Sequence, residues 1–219
     1  MTIPDPQSGP RISAGRLPVG LAIGASTGGP KALLSLLPAL RLPPGVFGFL
    51  VQHIQPHFVH ILRRRLMEVA AMPIEQAVHE GRVAPGRLYL APGGRHLLVE
   101  RMRTGGYRTR LSEDPPLHGV RPSLDPLFIS LAAAFGPRAV GVVLTGMGRD
   151  GLDGARAIKV RGGKVLAEAE STCAVYGMPR ALAEAGLADR QLPLDQMARA
   201  IEEACQEATR LPVVPRAAG

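Results

Sequence analysis

Cysteine is scarce in this chain of 219 residues: Cys173 and Cys205 are the two present, far apart and without a metal-like or redox spacing. A disulfide framework is therefore excluded, and both thiols read as reduced and structural, in a cytosolic setting. Long apolar runs are also lacking; nowhere do about 18 consecutive apolar residues occur, so no transmembrane helix and no direct membrane insertion is expected. The first residues, MTIPDPQSGPRISAGRLPVG, have no apolar centre and so do not read as a signal peptide or an anchor. Acidic residues are the scarcer charge. Against 26 Lys and Arg there are 18 Asp and Glu, a formal charge of +8 that favours acidic partners (nucleic acid, anionic membrane or an acidic protein surface) without choosing among them. Neither an internal repeat nor a low-complexity tract is present. With 46% hydrophobic residues, the chain has the length and composition for one large domain with a sizeable buried core.

Short apolar runs alternate with helical patterns along most of the chain. VGLAI (19–23), GFLVQHI (48–54), AVGVVLTG (139–146) and KVLAEA (164–169) read as buried strands. PKALLSLLPAL (30–40), PHFVHILRRRLMEVA (56–70), GLDGARAIKVRG (151–162), MPRALAEAG (178–186) and LDQMARAIEEACQEA (194–208) read as helices between and after them. Such alternation with unbroken apolar strands predicts an α/β fold, a three-layer α/β/α domain with a doubly wound, mainly parallel sheet. The stretch 87–113, with its Pro-Gly-Gly and Thr-Gly-Gly turns, breaks the rhythm and predicts an antiparallel hairpin region attached to the main sheet. The domain is expected over residues 18–210, with 1–17 a disordered lead and 211–219 a flexible tail.

In open parallel sheets chemistry gathers at the carboxyl ends of the strands, where loops and helix N-termini face one crevice. Three polar residues are expected there: Ser26 after VGLAI, His53 within FLVQHI, and Asp150 after VGVVLTGMGR. Gly24-Ala25-Ser26-Thr27-Gly28 has the Gly-x-Ser-x-Gly form that lifts a nucleophilic serine out of a tight strand-to-helix turn. A glycine-rich phosphate loop joins strand to helix in the same way. The dinucleotide fingerprint, however, needs glycine where Ser26 stands, and a Walker A loop needs Gly-Lys-Ser/Thr where Gly29-Pro30-Lys31 stands. The short motif by itself leaves both readings open. Pro30 suits the first turn of a helix, whose positive end beside Ser26 would stabilise an oxyanion or a phosphate alike.

A nucleophilic serine needs a base, and histidine titrates in the right range. Of six histidines, His53 alone ends an apolar strand, where a packed side chain is the ordinary alternative. His53, His57 and His60 have a loosely metal-like spacing, but Pro56 interrupts the helix that would align them and no His-Glu-x-x-His is present, so no metal site is assigned. Asp150, with Asp153 one turn later, is the candidate to orient the histidine; a helix cap or turn residue is its bland alternative. The order Ser26, His53, Asp150 differs from the Ser, acid, His order of α/β-hydrolases and makes that fold a poor match.

Together these residues resemble the catalytic domain of the chemotaxis protein-glutamate methylesterases, the CheB family. Six blocks carry the resemblance: IGASTGGPKAL, VQHIQPHF, GRLYLAPGGRHLLV, GVRPSLDPLF, GVVLTGMGRDGLDG and AESTCAVYGMPRALAEAGL. It implies a cytoplasmic serine hydrolase that removes methyl groups from glutamate methyl esters on chemoreceptor helices, releasing methanol, and in many members also deamidates receptor glutamines. It further implies Ser26 as nucleophile, His53 as general base, Asp150 as orienting acid, Thr27 and Met147 beside the site, and oxyanion stabilisation by the backbone at Met147. No cofactor, metal or organic, is required, and the implied partner is an acidic receptor helix, not nucleic acid. Many members carry a receiver domain of about 100 residues ahead of the esterase. Only some 18 residues precede the first strand in this sequence, so the expectation is control by a regulatory partner in place of a receiver, or no such control. Arg63, Arg64 and Arg65, or Arg101, Arg103, Arg108 and Arg110, are candidates to steer the enzyme to acidic helices, with ordinary solvated arginine as the commoner alternative. Two rivals stand beside this reading: a serine esterase or amidase acting on another substrate, and a non-catalytic module that binds a phosphate or nucleotide at the 24–29 turn.

Overall fold

The computed structural model describes residues 17–211; all but the last residue of the expected N-terminal lead and all but the first of the expected tail lie outside the described residues. In chain order the elements are β1 (Val19–Ala25), α1 (Gly29–Leu36), β2 (Val46–Gln52), α2 (Val59–Val69), β3 (Ile74–Gln76), β4 (Arg82–Val83), β5 (Leu88–Leu90), β6 (His96–Arg101), β7 (Tyr107–Ser112), α3 (Leu124–Phe135), β8 (Ala139–Val143), α4 (Leu152–Val160), β9 (Lys164–Glu168), α5 (Met178–Glu184), β10 (Arg190–Leu192) and α6 (Leu194–Arg210).

Seven strands form one sheet in the order β10-β9-β8-β1-β2-β5-β3, each pair of neighbours parallel. β1 and β2 are buried along their whole length, as strands covered on both faces must be. Alternate residues of β1 serve the two faces. Leu21 and Ile23 pack with Leu33 and Leu36 of α1, Leu62 and Leu66 of α2 and Ile201 of α6, whereas Ala22 packs with Leu127, Phe128 and Leu131 of α3, Ile158 of α4 and Leu182 of α5. The three layers are those expected. The hairpin β6–β7 is antiparallel as expected, but it forms a separate small sheet with β4, and β5, from the same stretch, joins the parallel sheet beside β2.

One helix in this arrangement, α3, has no counterpart among the sequence-predicted elements. It lies directly over β1 because two glycines remove the side chains that would keep it away. A Cβ on Gly24 would stand 2.1 Å from Leu124 Cδ2, and one on Gly20 would stand 2.4 Å from Phe135 Cδ2. Glycine inside a strand commonly marks such close approach. The N-terminus of α3 is thereby set at the carboxyl end of β1, with β2 on one side and β8 on the other. At β1 the chain order reverses across the sheet, and such a switch point opens a crevice outside the strand ends.

Candidate active site

Ser26 leaves β1 in a turn that only glycines complete. Gly28 has φ of 82°, in the left-handed region, and a Cβ there would come within 2.5 Å of Ala174 Cβ. A Cβ on Gly29, where α1 begins, would come within 2.1 Å of Gln52 Oε1. The Ser26 N–H donates to the Thr145 carbonyl at 3.0 Å, and the Ser26 carbonyl accepts from the Gly29 N–H at 2.8 Å. Pro30 occupies the first turn of α1, where no intrahelical bond is lost.

His53 stands at the matching position of the next strand. Ala25 pairs with Gln52, and the His53 N–H donates to the Ala25 carbonyl at 3.0 Å, so Ser26 and His53 leave neighbouring strands that run roughly 4.8 Å apart. The Gln52 side-chain amide ties the two together, donating to the Ser26 carbonyl at 2.9 Å and to the His53 carbonyl at 3.0 Å. The His53 ring is nearly buried, with Nε2 2.6 Å from Asp150 Oδ2. When Nε2 carries the proton and donates it to this carboxylate, Nδ1 keeps its lone pair as the basic ring nitrogen. Among the described residues the Ser26 hydroxyl makes no hydrogen bond to His53. Such bonds often tighten only when substrate arrives.

Asp150 is 2% exposed and fully satisfied. Oδ1 accepts from the Ser123 hydroxyl at 2.6 Å and the Asp125 N–H at 3.2 Å; Oδ2 accepts from His53 and from the Leu124 N–H at 2.6 Å. Burial alone would raise its pKa, but the hydrogen bonds from His53, Ser123 and Leu124 outweigh it and hold the carboxyl below its ordinary value. Its donors other than His53 are the cap and first turn of α3, where unpaired N–H groups and the helix dipole favour an anion. Ser123 is held in turn by buried His96, whose Nδ1 accepts the Ser123 N–H at 3.1 Å.

The family is decided by comparison over most of the chain. Residues 21–201 match the model of the family described as CheB methylesterase. The chain belongs to the CheB methylesterase family. A protein-glutamate methylesterase/protein-glutamine glutaminase of Moorella thermoacetica is 47% identical over 197 residues, covering 86% of this chain and 46% of the relative. One of the same name from Pyrococcus abyssi is 40% identical over 190 residues, covering 86% of this chain and 51% of the relative. The chain thus spans about half the length of these curated relatives. The crystal structure of the Thermotoga maritima CheB methylesterase catalytic domain superposes with a TM-score of 0.81 at 34% identity, covering 85% of this chain and 98% of that one.

In this member of the CheB methylesterase family the loop after β8 closes the third side of the site. Gly146 lies against the Ser26 turn so tightly that a Cβ on it would meet Ser26 Cβ at 2.7 Å. Its carbonyl is held by the N–H groups of Gly177 and Met178 at 3.0 and 2.8 Å. The next residue, Met147, is 75% exposed, which removes the alternative of a packed methionine. Thr27 is exposed, and its carbonyl accepts the Thr145 hydroxyl at 2.9 Å. A cleft of about 330 Å³ is lined by His53, Gln55, Pro56, Val120 and Arg121.

Other sequence candidates fall outside this site. His57 and His60 are exposed, and they do not join His53 in any metal-spaced group. Among the described residues the one such group is His118, Asp125 and Asp153, and there His118 Nε2 already pairs with Asp125 Oδ2 at 3.0 Å. Both cysteines are free, and their thiols are pushed up to about 12, by burial and, for Cys173, also by Glu168; neither is a nucleophile at neutral pH. Arg108 pairs with Glu80 and Glu100, and Arg110 with Glu100. Arg101 pairs across the hairpin with Tyr107, which stacks on Phe135 at the end of α3 remote from Asp150. Arg63, Arg64 and Arg65 of α2 form no ion pair among the described residues.

Proposed function

We propose that residues 18–210 form the catalytic domain of a protein-glutamate methylesterase with Ser26 as nucleophile, His53 as general base and Asp150 as the acid that orients His53. The observation that carries this reading is the 2.6 Å contact between His53 and an ionised Asp150, set one strand position from the serine turn. Ser26 Oγ attacks the ester carbonyl of a glutamate methyl ester while His53 takes its proton. The tetrahedral oxyanion is stabilised by backbone N–H at Met147, with Thr27 bordering the same pocket and the positive end of α1 adding its field. Collapse of this intermediate breaks the acyl–oxygen bond, and methanol leaves with the proton from His53. Water, deprotonated by His53, then attacks the acyl-enzyme and releases glutamate and free Ser26. The relatives' double name extends the same chemistry to glutamine, with ammonia leaving in place of methanol.

The substrate in this reading is a methylated, glutamate-rich chemoreceptor helix, and Arg63, Arg64 and Arg65, which form no ion pair among the described residues, are cations that meet it. Incubation with methyl-labelled receptor tests the proposal. Wild-type protein is expected to release labelled methanol, and Ser26→Ala is expected to release none above background. Equal release by the two proteins would remove the triad, and small-ester hydrolysis without receptor demethylation would point to another ester or amide substrate.

A further inference from the structure

We propose that Glu168 is a positioning residue for the nucleophile turn, acting through Thr145. The inference rests on the reading of Ser26 as nucleophile. Glu168 ends β9 and is 0% exposed, and among the described residues no Lys, Arg or His forms an ion pair with it. A buried carboxylate without a counter-charge is costly and persists only where its oxygens are well used.

Its two oxygens have neutral donors. Oε2 accepts the Thr145 N–H at 2.8 Å, and Oε1 accepts the Thr172 hydroxyl at 3.0 Å. The β8–β9 ladder ends at the pair Val143 and Ala167, so Glu168 supplies by side chain the acceptor that the ladder no longer offers to the 1% exposed Thr145. Thr145 is the hub of the site. Its carbonyl accepts the Ser26 N–H at 3.0 Å, and its hydroxyl donates to the Thr27 carbonyl and accepts the Val175 N–H, both at 2.9 Å. The residue that follows, Gly146, is the one pressed against Ser26 Cβ. Glu168 therefore fixes the peptide that holds both the serine and the start of the loop reaching Met147, without touching substrate.

The test compares wild type, Glu168→Met and Glu168→Gln with a small neutral ester and with a fluorophosphonate that labels an activated serine. Glu168→Met leaves the Thr145 N–H without an acceptor and is expected to lower kcat and the labelling rate by about tenfold or more with KM nearly unchanged, since small displacements of a nucleophile are amplified in the rate. Glu168→Gln still offers an oxygen and is expected to stay within about threefold of wild type. Full activity in Glu168→Met, or equal losses in both variants, would overturn the proposal. If Glu168→Met does not fold, Thr172→Val, which frees Oε1 while leaving the carboxylate in place, is expected to lower kcat at constant KM; an unchanged kcat overturns the proposal. Absence of label on Ser26 in wild type would instead overturn the nucleophile reading, and this inference with it.

Discussion

An Asp150→Asn substitution keeps the shape of the side chain that links His53 to α3 but replaces one acceptor oxygen by a donor. The two carboxylate oxygens accept two donors each, Oδ1 from Ser123 and Asp125 and Oδ2 from His53 and Leu124, so the amide nitrogen must face a donor it cannot satisfy. The expected result is a fall in kcat of about 10² to 10⁴ with little change in KM, read with a small ester. Stability follows the same bonds. The folded-state pKa of Asp150 lies below its ordinary value, so the folded chain binds this proton less readily than the unfolded chain. The contribution is therefore complete above the ordinary carboxylate value of about 3.9 and is lost as pH falls through the lower folded value. Urea unfolding of wild type and Asp150→Asn should show a full gap at neutral pH that closes below about pH 4; a gap that widens on acidification would contradict the assignment. At this scale the sequence is informative where a residue follows directly on an apolar strand, as Ser26 and His53 do, or lies in the glycine-rich loop after one, as Asp150 does. It was silent on Ser123, Gln52 and Thr145, whose roles rest on hydrogen bonds between residues distant in sequence.

The elements that place the site differ in how openly the sequence declares them. β1, β2 and β8 are unbroken apolar runs bounded by polar turns, and their parallel pairing follows from burial on both faces. The sequence does not declare α3, because Pro122 and Pro126 flank its start, although proline in a first helical turn costs no intrahelical bond and Ser123 is a good cap. β5 is hard to separate from the hairpin in sequence, because it is three residues long and the Pro-Gly-Gly turn follows closely. The dependence of the site on α3 is testable at Gly24. A methyl group on that residue would strike Leu124, so Gly24→Ala should push the first turn of α3 away from Asp150. The expected outcome is a loss of about 1–3 kcal/mol in chemical unfolding, together with a fall in kcat that exceeds any rise in KM. Wild-type activity in a folded Gly24→Ala protein would separate α3 from the site.

Across the whole molecule the formal charge is +8, and the proposed acidic partner would meet that excess of positive charge. Arg108 and Arg110 are occupied within the small sheet, whereas Arg63, Arg64 and Arg65 of α2, like Arg101 and Arg103, form no ion pair among the described residues. Raising ionic strength from about 0.05 to 0.5 M shortens the screening length several-fold and should lower kcat/KM toward methylated receptor while sparing a neutral small ester. Replacing Arg64 and Arg65 by Glu should reproduce that selective loss at low salt. Equal effects on both substrates would argue against steering. The central claim, that Ser26 is a nucleophile activated by His53, is tested most directly by peptide mass mapping after fluorophosphonate treatment. A single adduct on Ser26 is expected, formed at least about 100-fold more slowly in His53→Ala, in keeping with the size of general-base effects. An unmodified Ser26, or equal labelling without His53, would contradict it.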